Sequence, residues 1–168
     1  HFNRTYKTEV FIEAKAMIGK IARLPGIDGG AKMGKSIGNC IYLGDSADDI
    51  TKKIKSMYTD PGHLRVEDPG KVEGNPVFTY LDAFDTDIDR VAEMKAHYAR
   101  GGLGDSVVKK HVNEVLQAVL EPIRRKRLEY AKDPEGVMEI LSAGTAFTRL
   151  IATQTMHEVR QAMNINYF

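Results

Sequence analysis

The chain has 168 residues and a formal net charge of +1, enough for one sizeable core and too balanced to hold nucleic acid by bulk charge alone. Its hydrophobic and charged fractions, 42% and 28%, are those of an ordinary globular protein, and no apolar run approaches the ~18 residues of a membrane span. The single cysteine, Cys40, excludes an internal disulfide and a cysteine metal cluster and fits a reducing, cytoplasmic setting.

Residues 1–46 read as mixed and loop-rich. The opening "HFNRTYKTEV" has neither a starting Met nor an apolar leader, so it reads as the middle of a longer chain. "EVFIEA" (9–14) is a candidate extended piece, and "KIARL" (20–24) a short strand closed by Pro25-Gly26. The glycine-rich stretch "GIDGGAKMGKSIGN" (26–39) is expected to be a mobile loop, because glycine carries the largest backbone entropy. A brief apolar run, "IYLG" (41–44), follows.

From residue 47 the pattern is helical. "SADDITKKIKSMY" opens with Ser46 as N-cap and repeats apolar residues at Ile50, Ile54 and Met57. Proline and glycine punctuate residues 59–76, with Asn75 before Pro76 marking a turn. "PVFTYLDAF" is a short buried helix, and "TDIDRVAEMKAHYARGG" an amphipathic one stopped at Gly101. The helix of residues 105–132 carries the stripe Val108, Val112, Val115, Val119, Ile123, with Pro122 expected to kink it. That of residues 134–163 carries Val137, Leu141, Gly144, Phe147, Ile151. Such stripes need one another for burial, which predicts a mainly α fold: a helical bundle after a loop-rich segment with a short strand.

The chemistry concentrates in "GGAKMGKS" (29–36). Read literally it is G-x-x-x-x-G-K-S, a P-loop. A P-loop needs a buried strand running into the first glycine and a helix starting at the Lys-Ser. Here "RLPGID" precedes and "IGNCIYLGD" follows, so Pro25-Gly26 breaks the approach and Gly38-Asn39 the helix. The other reading keeps the lysines alone. Lys32 and Lys35, on a flexible loop with no acid between Asp28 and Asp45, can close on a triphosphate and stabilise charge on departing pyrophosphate.

"KMGKS" (32–36) resembles the KMSKS loop of class I aminoacyl-tRNA synthetases. Together with "RLPGIDGGAKMGKSIGNCIYLGD", "KKIKSMYTDP", "DPGKVEGNPVF" and the helical tail to "VRQAM", nearly the whole chain resembles the C-terminal half of bacterial tryptophanyl-tRNA synthetases. The tyrosyl enzymes are the nearest relatives but differ after the loop. The resemblance implies that residues 1–46 are the remnant of an α/β, Rossmann-like catalytic domain and residues 47–168 a helical anticodon-binding domain. It implies ATP-dependent activation of tryptophan and its transfer to tRNA(Trp), with Mg2+ accompanying ATP, a homodimeric parent enzyme and no membrane. Lys32 and Lys35 would be catalytic. Leu24, Lys32, Met33, Gly34, Lys35 and Ser36 would meet the nucleotide, Leu24 and Met33 at adenine. Two departures stand out: Gly34 replaces the family's usual serine, and the half with the HIGH-type motif is missing. None of the histidines at 1, 63, 97, 111 and 157 stands in an H-x-G-H arrangement. The segment alone is therefore expected to be inactive.

The densest basic run is Arg124, Arg125, Lys126, Arg127. Its plain meaning is the solvated face of a helix; the resemblance implies tRNA phosphate contact for some of Arg124, Arg125 and Arg127. His63, His97 and His111 lack metal-ligand spacing and read as structural or surface residues, and no metal site is expected. The alternatives are a non-catalytic helical RNA-binding module and a P-loop NTPase.

Overall fold

The computed structural model describes residues 1–19, 21, 23–30 and 32–167. Among these the chain forms six helices and no strand: α1 (Phe2–Tyr6), α2 (Ala47–Lys55), α3 (Pro76–Phe84), α4 (Ile88–Arg100), α5 (Asp105–Tyr130) and α6 (Pro134–Ala162). It divides into two compact units, residues 18–128 and residues 1–17 with 129–168.

Side-chain caps start α2, α3 and α4 in the larger unit. Ser46 Oγ accepts the Asp49 N–H at 3.1 Å, Asn75 Oδ1 the Val77 N–H at 3.1 Å, and Asp87 Oδ1 the Arg90 N–H at 3.0 Å. Each satisfies an amide that the first helical turn leaves without a partner. Gly101 ends α4 at φ +86°, where a Cβ would lie 2.2 Å from the Glu67 carbonyl oxygen. Only glycine fits there.

The core is built by Ile50, Ile54 and Met57 from α2 and its end, Val77, Phe78 and Leu81 from α3, Val91 and Tyr98 from α4, and α5. Two histidines brace it. His111 on α5 bonds Asp85, just past α3, at 2.6 Å. His63 bonds Asp105, the first residue of α5, at 3.1 Å, and the Tyr98 hydroxyl donates to the same carboxylate at 2.7 Å. Both histidines are buried, and the structural reading of them holds.

The expected stripe of α5 is corrected in its second half. The buried row is Val108, Val112, Leu116, Leu120, while Val119 and Ile123 are exposed. Packing follows the i, i+4 ridge, which drifts around the helix relative to the mixed spacing read from the sequence. The helix continues through Pro122. The expected strand at residues 20–24 includes Lys20 and Ala22, which lie outside the described residues; Ile21, Arg23 and Leu24 belong to no strand.

The smaller unit departs further. Residues 9–14 form no strand; instead α1 precedes them, and Asn3 Oδ1 accepts the Phe11 N–H at 3.0 Å. Phe2 packs against Tyr6 in a tilted arrangement and against Phe11 edge-to-face, with ring centroids 4.7 and 5.2 Å apart. Helix α6 starts as expected, Asp133 capping Gly136 N–H at 2.9 Å. It buries no residue, however, and Phe147 is 66% exposed. The stripe is real, but periodicity says which face a helix would bury, not what covers it.

Candidate functional site

The lysine loop lies in the larger unit, and its ends are fixed by backbone bonds. Ile27 N–H donates to the Asn39 carbonyl at 3.0 Å, and Tyr58 N–H, just beyond α2, donates to the Ile27 carbonyl at 2.7 Å. The Tyr80 hydroxyl on α3 donates to the Pro25 carbonyl at 3.1 Å, and burial pushes that phenol up to about 12. Gly26 N–H closes onto the Gly30 carbonyl at 2.9 Å. Gly29, at φ +79°, lies against the Tyr58 ring.

Leu24 and Met33 are half-buried against the core, whereas Lys32, Lys35 and Ser36 are exposed. From Gly34 the chain makes one turn: Ile37 N–H and Gly38 N–H both donate to the Gly34 carbonyl at 3.2 Å. Gly38 then takes φ +75° and the turn ends. Among the described residues no strand enters the loop and no helix starts at Lys35. The strand–loop–helix that a P-loop requires is not formed.

Sequence reasoning missed the loop's organiser. Asn39, 4% exposed, donates from Nδ2 to Asp28 Oδ1 at 2.9 Å and to the Lys32 carbonyl at 3.1 Å; its Oδ1 accepts the Gly34 N–H at 2.8 Å. Asp28 Oδ1 also accepts the Gly30 N–H at 3.0 Å. The hydrogen bond from Asn39, followed by that from Gly30, holds the Asp28 carboxyl below the usual carboxylate range. The sequence treats Asn39 only as a helix breaker. The available signal is an amide standing between Gly38 and the apolar pair Cys40–Ile41, where the chain turns inward and a polar side chain needs partners.

The basic run lies on the last turns of α5. Arg124 is half-buried and donates from Nη2 to Gln117 Oε1 at 2.8 Å. The Arg127 guanidinium lies over Gly44, whose added Cβ would sit 3.6 Å from it. Arg124, Arg125 and Arg127 line one side of a cavity of about 470 Å³, with Gly44, Asp45 and Ser46 opposite. Among the described residues no group of three or more His, Cys, Asp or Glu is placed to hold a metal ion, and no helix is long and apolar enough to cross a membrane.

Comparison with known proteins narrows what such a loop belongs to. Residues 1–121 match the family model of tRNA synthetases class I (W and Y). The chain is 58% identical over 99% of its length to the tryptophan–tRNA ligase of Clostridium longisporum, and 51% identical to that of Streptococcus mutans, covering 50% and 51% of those proteins. It therefore spans about half the length of the curated relatives it matches. The solved structure of tryptophanyl-tRNA synthetase from Campylobacter jejuni, complexed with ADP and tryptophan, superposes with a TM-score of 0.73 at 30% identity, over 96% of this chain and 50% of that one. With a match across most of its length and a fold shared with a solved member, the chain belongs to the class I tRNA synthetases of the tryptophan and tyrosine type.

Proposed function

We propose that this chain works as the C-terminal half of a tryptophan–tRNA ligase, which activates tryptophan with ATP and transfers it to tRNA(Trp). The observation that carries the reading is the 58% identity to a tryptophan–tRNA ligase across 99% of the chain. Residues 1–46 complete the catalytic domain, with the KMSKS-type loop at 32–36, and residues 47–168 form the tRNA-binding helical domain.

In adenylate formation the tryptophan carboxylate attacks the α-phosphorus of ATP, and the bond to the bridging oxygen breaks to release pyrophosphate. Lys32 and Lys35 approach that leaving group from an exposed loop. Their contacts strengthen as its charge develops, so they act on the transition state. Leu24 and Met33, half-buried against the core, form the floor of the adenine side; Ser36 offers a hydroxyl, and Gly34, whose N–H is held by Asn39, leaves room for the nucleotide beside the backbone. Mg2+ carried by ATP would neutralise phosphate charge; among the described residues no group of three or more His, Cys, Asp or Glu is placed to hold a metal ion, so Lys32 and Lys35 would meet it only through the phosphates of ATP. Arg125 and Arg127, with the partly engaged Arg124, contact tRNA phosphates. The assembly is a cytoplasmic homodimer.

The test is amino-acid-dependent ATP–pyrophosphate exchange by a protein with the full length of the relatives. The reading expects exchange with tryptophan and not with tyrosine. Exchange with tyrosine alone moves the chain to the sister branch. RNA binding without any exchange makes it a non-catalytic module.

A further inference from the structure

We propose that Asn39 is a positioning residue for the reaction, its buried amide holding the lysine loop in the shape that presents Lys32 and Lys35 to phosphate; the inference rests on the reading of that loop given above.

Apart from a long contact from the Cys40 thiol to its oxygen at 3.9 Å, the hydrogen bonds of the amide are directed at the loop. One N–H reaches the Lys32 carbonyl, so the backbone at the first lysine is fixed directly. The carbonyl oxygen takes the Gly34 amide, one residue before Lys35. The second N–H reaches Asp28, across the mouth of the loop. Turning the amide over would set an N–H against the Gly34 N–H and an oxygen against two acceptors, so the orientation is determined. Asn39 is itself fixed by its own carbonyl, which takes the Ile27 amide at 3.0 Å.

The neighbouring sequence is built around this side chain. A Cβ at Gly26 would lie 2.0 Å from Asn39 Nδ2 and 2.4 Å from Asp28 Oδ1, so glycine at 26 is what admits the amide. Gly26 is not among the glycines with positive φ; its absent side chain therefore serves space rather than backbone conformation. The lysines, by contrast, are exposed. A mobile cation on a glycine-rich loop contributes to a transition state only to the extent that its backbone is placed, and a misplacement of about 1 Å costs on the order of 100-fold.

The experiment uses the full-length enzyme and measures single-turnover tryptophanyl-adenylate formation and equilibrium tryptophan binding. Asn39→Ala and, independently, Gly26→Ala are expected to slow adenylate formation on the order of 10–100-fold with tryptophan affinity unchanged. Introducing Asn39→Ala into the Lys32→Ala, Lys35→Ala double variant should then slow it by less than about twofold more, because the amide acts through those two lysines. Asn39→Asp, nearly the same shape but lacking both donors, should resemble Asn39→Ala. A rate within about twofold of wild type for Asn39→Ala overturns the proposal, as does full additivity with the Lys32→Ala, Lys35→Ala double variant. Loss of tryptophan binding in step with the rate marks Asn39 as merely structural and overturns it too. If Lys35→Ala itself leaves the rate unchanged, the reading of the loop has failed; if only the Asn39 variants do, the positioning role alone has.

Discussion

The molecule carries two clusters of positive charge, and they are built differently. Lys32 and Lys35 stand on an irregular loop whose base is tied by a buried amide and whose charged ends are exposed. The basic run of α5 has more cations on a rigid helix, yet Arg124 is half-buried and engaged by Gln117. Charge density alone does not say what either cluster binds. A loop that presents two cations on a fixed backbone suits a compact group whose charge changes during reaction. A helical turn spreads its cations around an axis and suits a long polyanion.

The first way to break this contrast carries the largest effect. The 168-residue chain alone should show no tryptophan-dependent ATP–pyrophosphate exchange, although both clusters are present. On the proposed reading the attacking carboxylate is positioned by the part of the ligase that these residues do not cover, and effective positioning is worth ~7–11 kcal/mol of barrier. Exchange at the rate of full-length relatives would show that the contrast omits a complete site within the chain.

The second compares functions. The double variant Arg125→Ala, Arg127→Ala in the full-length enzyme should weaken tRNA binding. The slope of log affinity against log salt should become shallower by about one for each tRNA phosphate that the variant no longer neutralises. Adenylate formation should stay within about twofold of wild type. A fall in adenylate formation equal to the fall in tRNA binding would merge the two clusters into one site.

The third uses acid. The loop's base rests on the Asp28 carboxylate, whereas Arg124 rests on a neutral amide. The Asn39 and Gly30 hydrogen bonds hold the folded Asp28 carboxyl below its ordinary, unfolded-state value, so the unfolded chain binds the proton more readily. Its contribution is complete above that unfolded value and is lost as pH falls through the lower folded one. Protection of the Gly30 and Gly34 amides, their exchange rate relative to that of an open chain at the same pH, should fall below about pH 4 before that of the α5 amides responds. Simultaneous loss would tie the loop to the core rather than to Asp28.

The smallest effect belongs to Gly34→Ser. An added Cβ would meet only the end of the exposed Ile37 side chain, at 3.3 Å, and the backbone there needs no positive φ. Adenylate formation should change by less than about threefold in either direction, since only one flexible side chain must adjust.

Much of this was legible in the sequence because the governing signals were local. Ser46 and Asn75-Pro76 mark helix starts through their side chains and Gly101 a helix end through its lack of one, and the boundaries of α2, α3 and α4 follow them. The lysines were visible as a motif, and Pro25-Gly26 with Gly38-Asn39 argued correctly against a P-loop helix. Where the answer depended on distant partners, it was not visible. Nothing near Val119 says that α5 buries the 116–120 row instead, and nothing within α6 says whether its stripe is covered. Asn39 was the most consequential omission. Its role depends on Gly26 and Asp28, 13 and 11 positions away, brought to it by the closing of the loop.

The central claim is that the loop lysines act on the departing pyrophosphate rather than on bound substrate. It is tested most directly by rapid-quench measurement of single-turnover tryptophanyl-adenylate formation in the full-length enzyme carrying Lys35→Ala, alongside equilibrium tryptophan binding. The account predicts a loss on the order of 10²–10³-fold in the chemical step with tryptophan affinity unchanged. A single-turnover rate within about twofold of wild type would contradict it and leave Lys35 an ordinary surface charge.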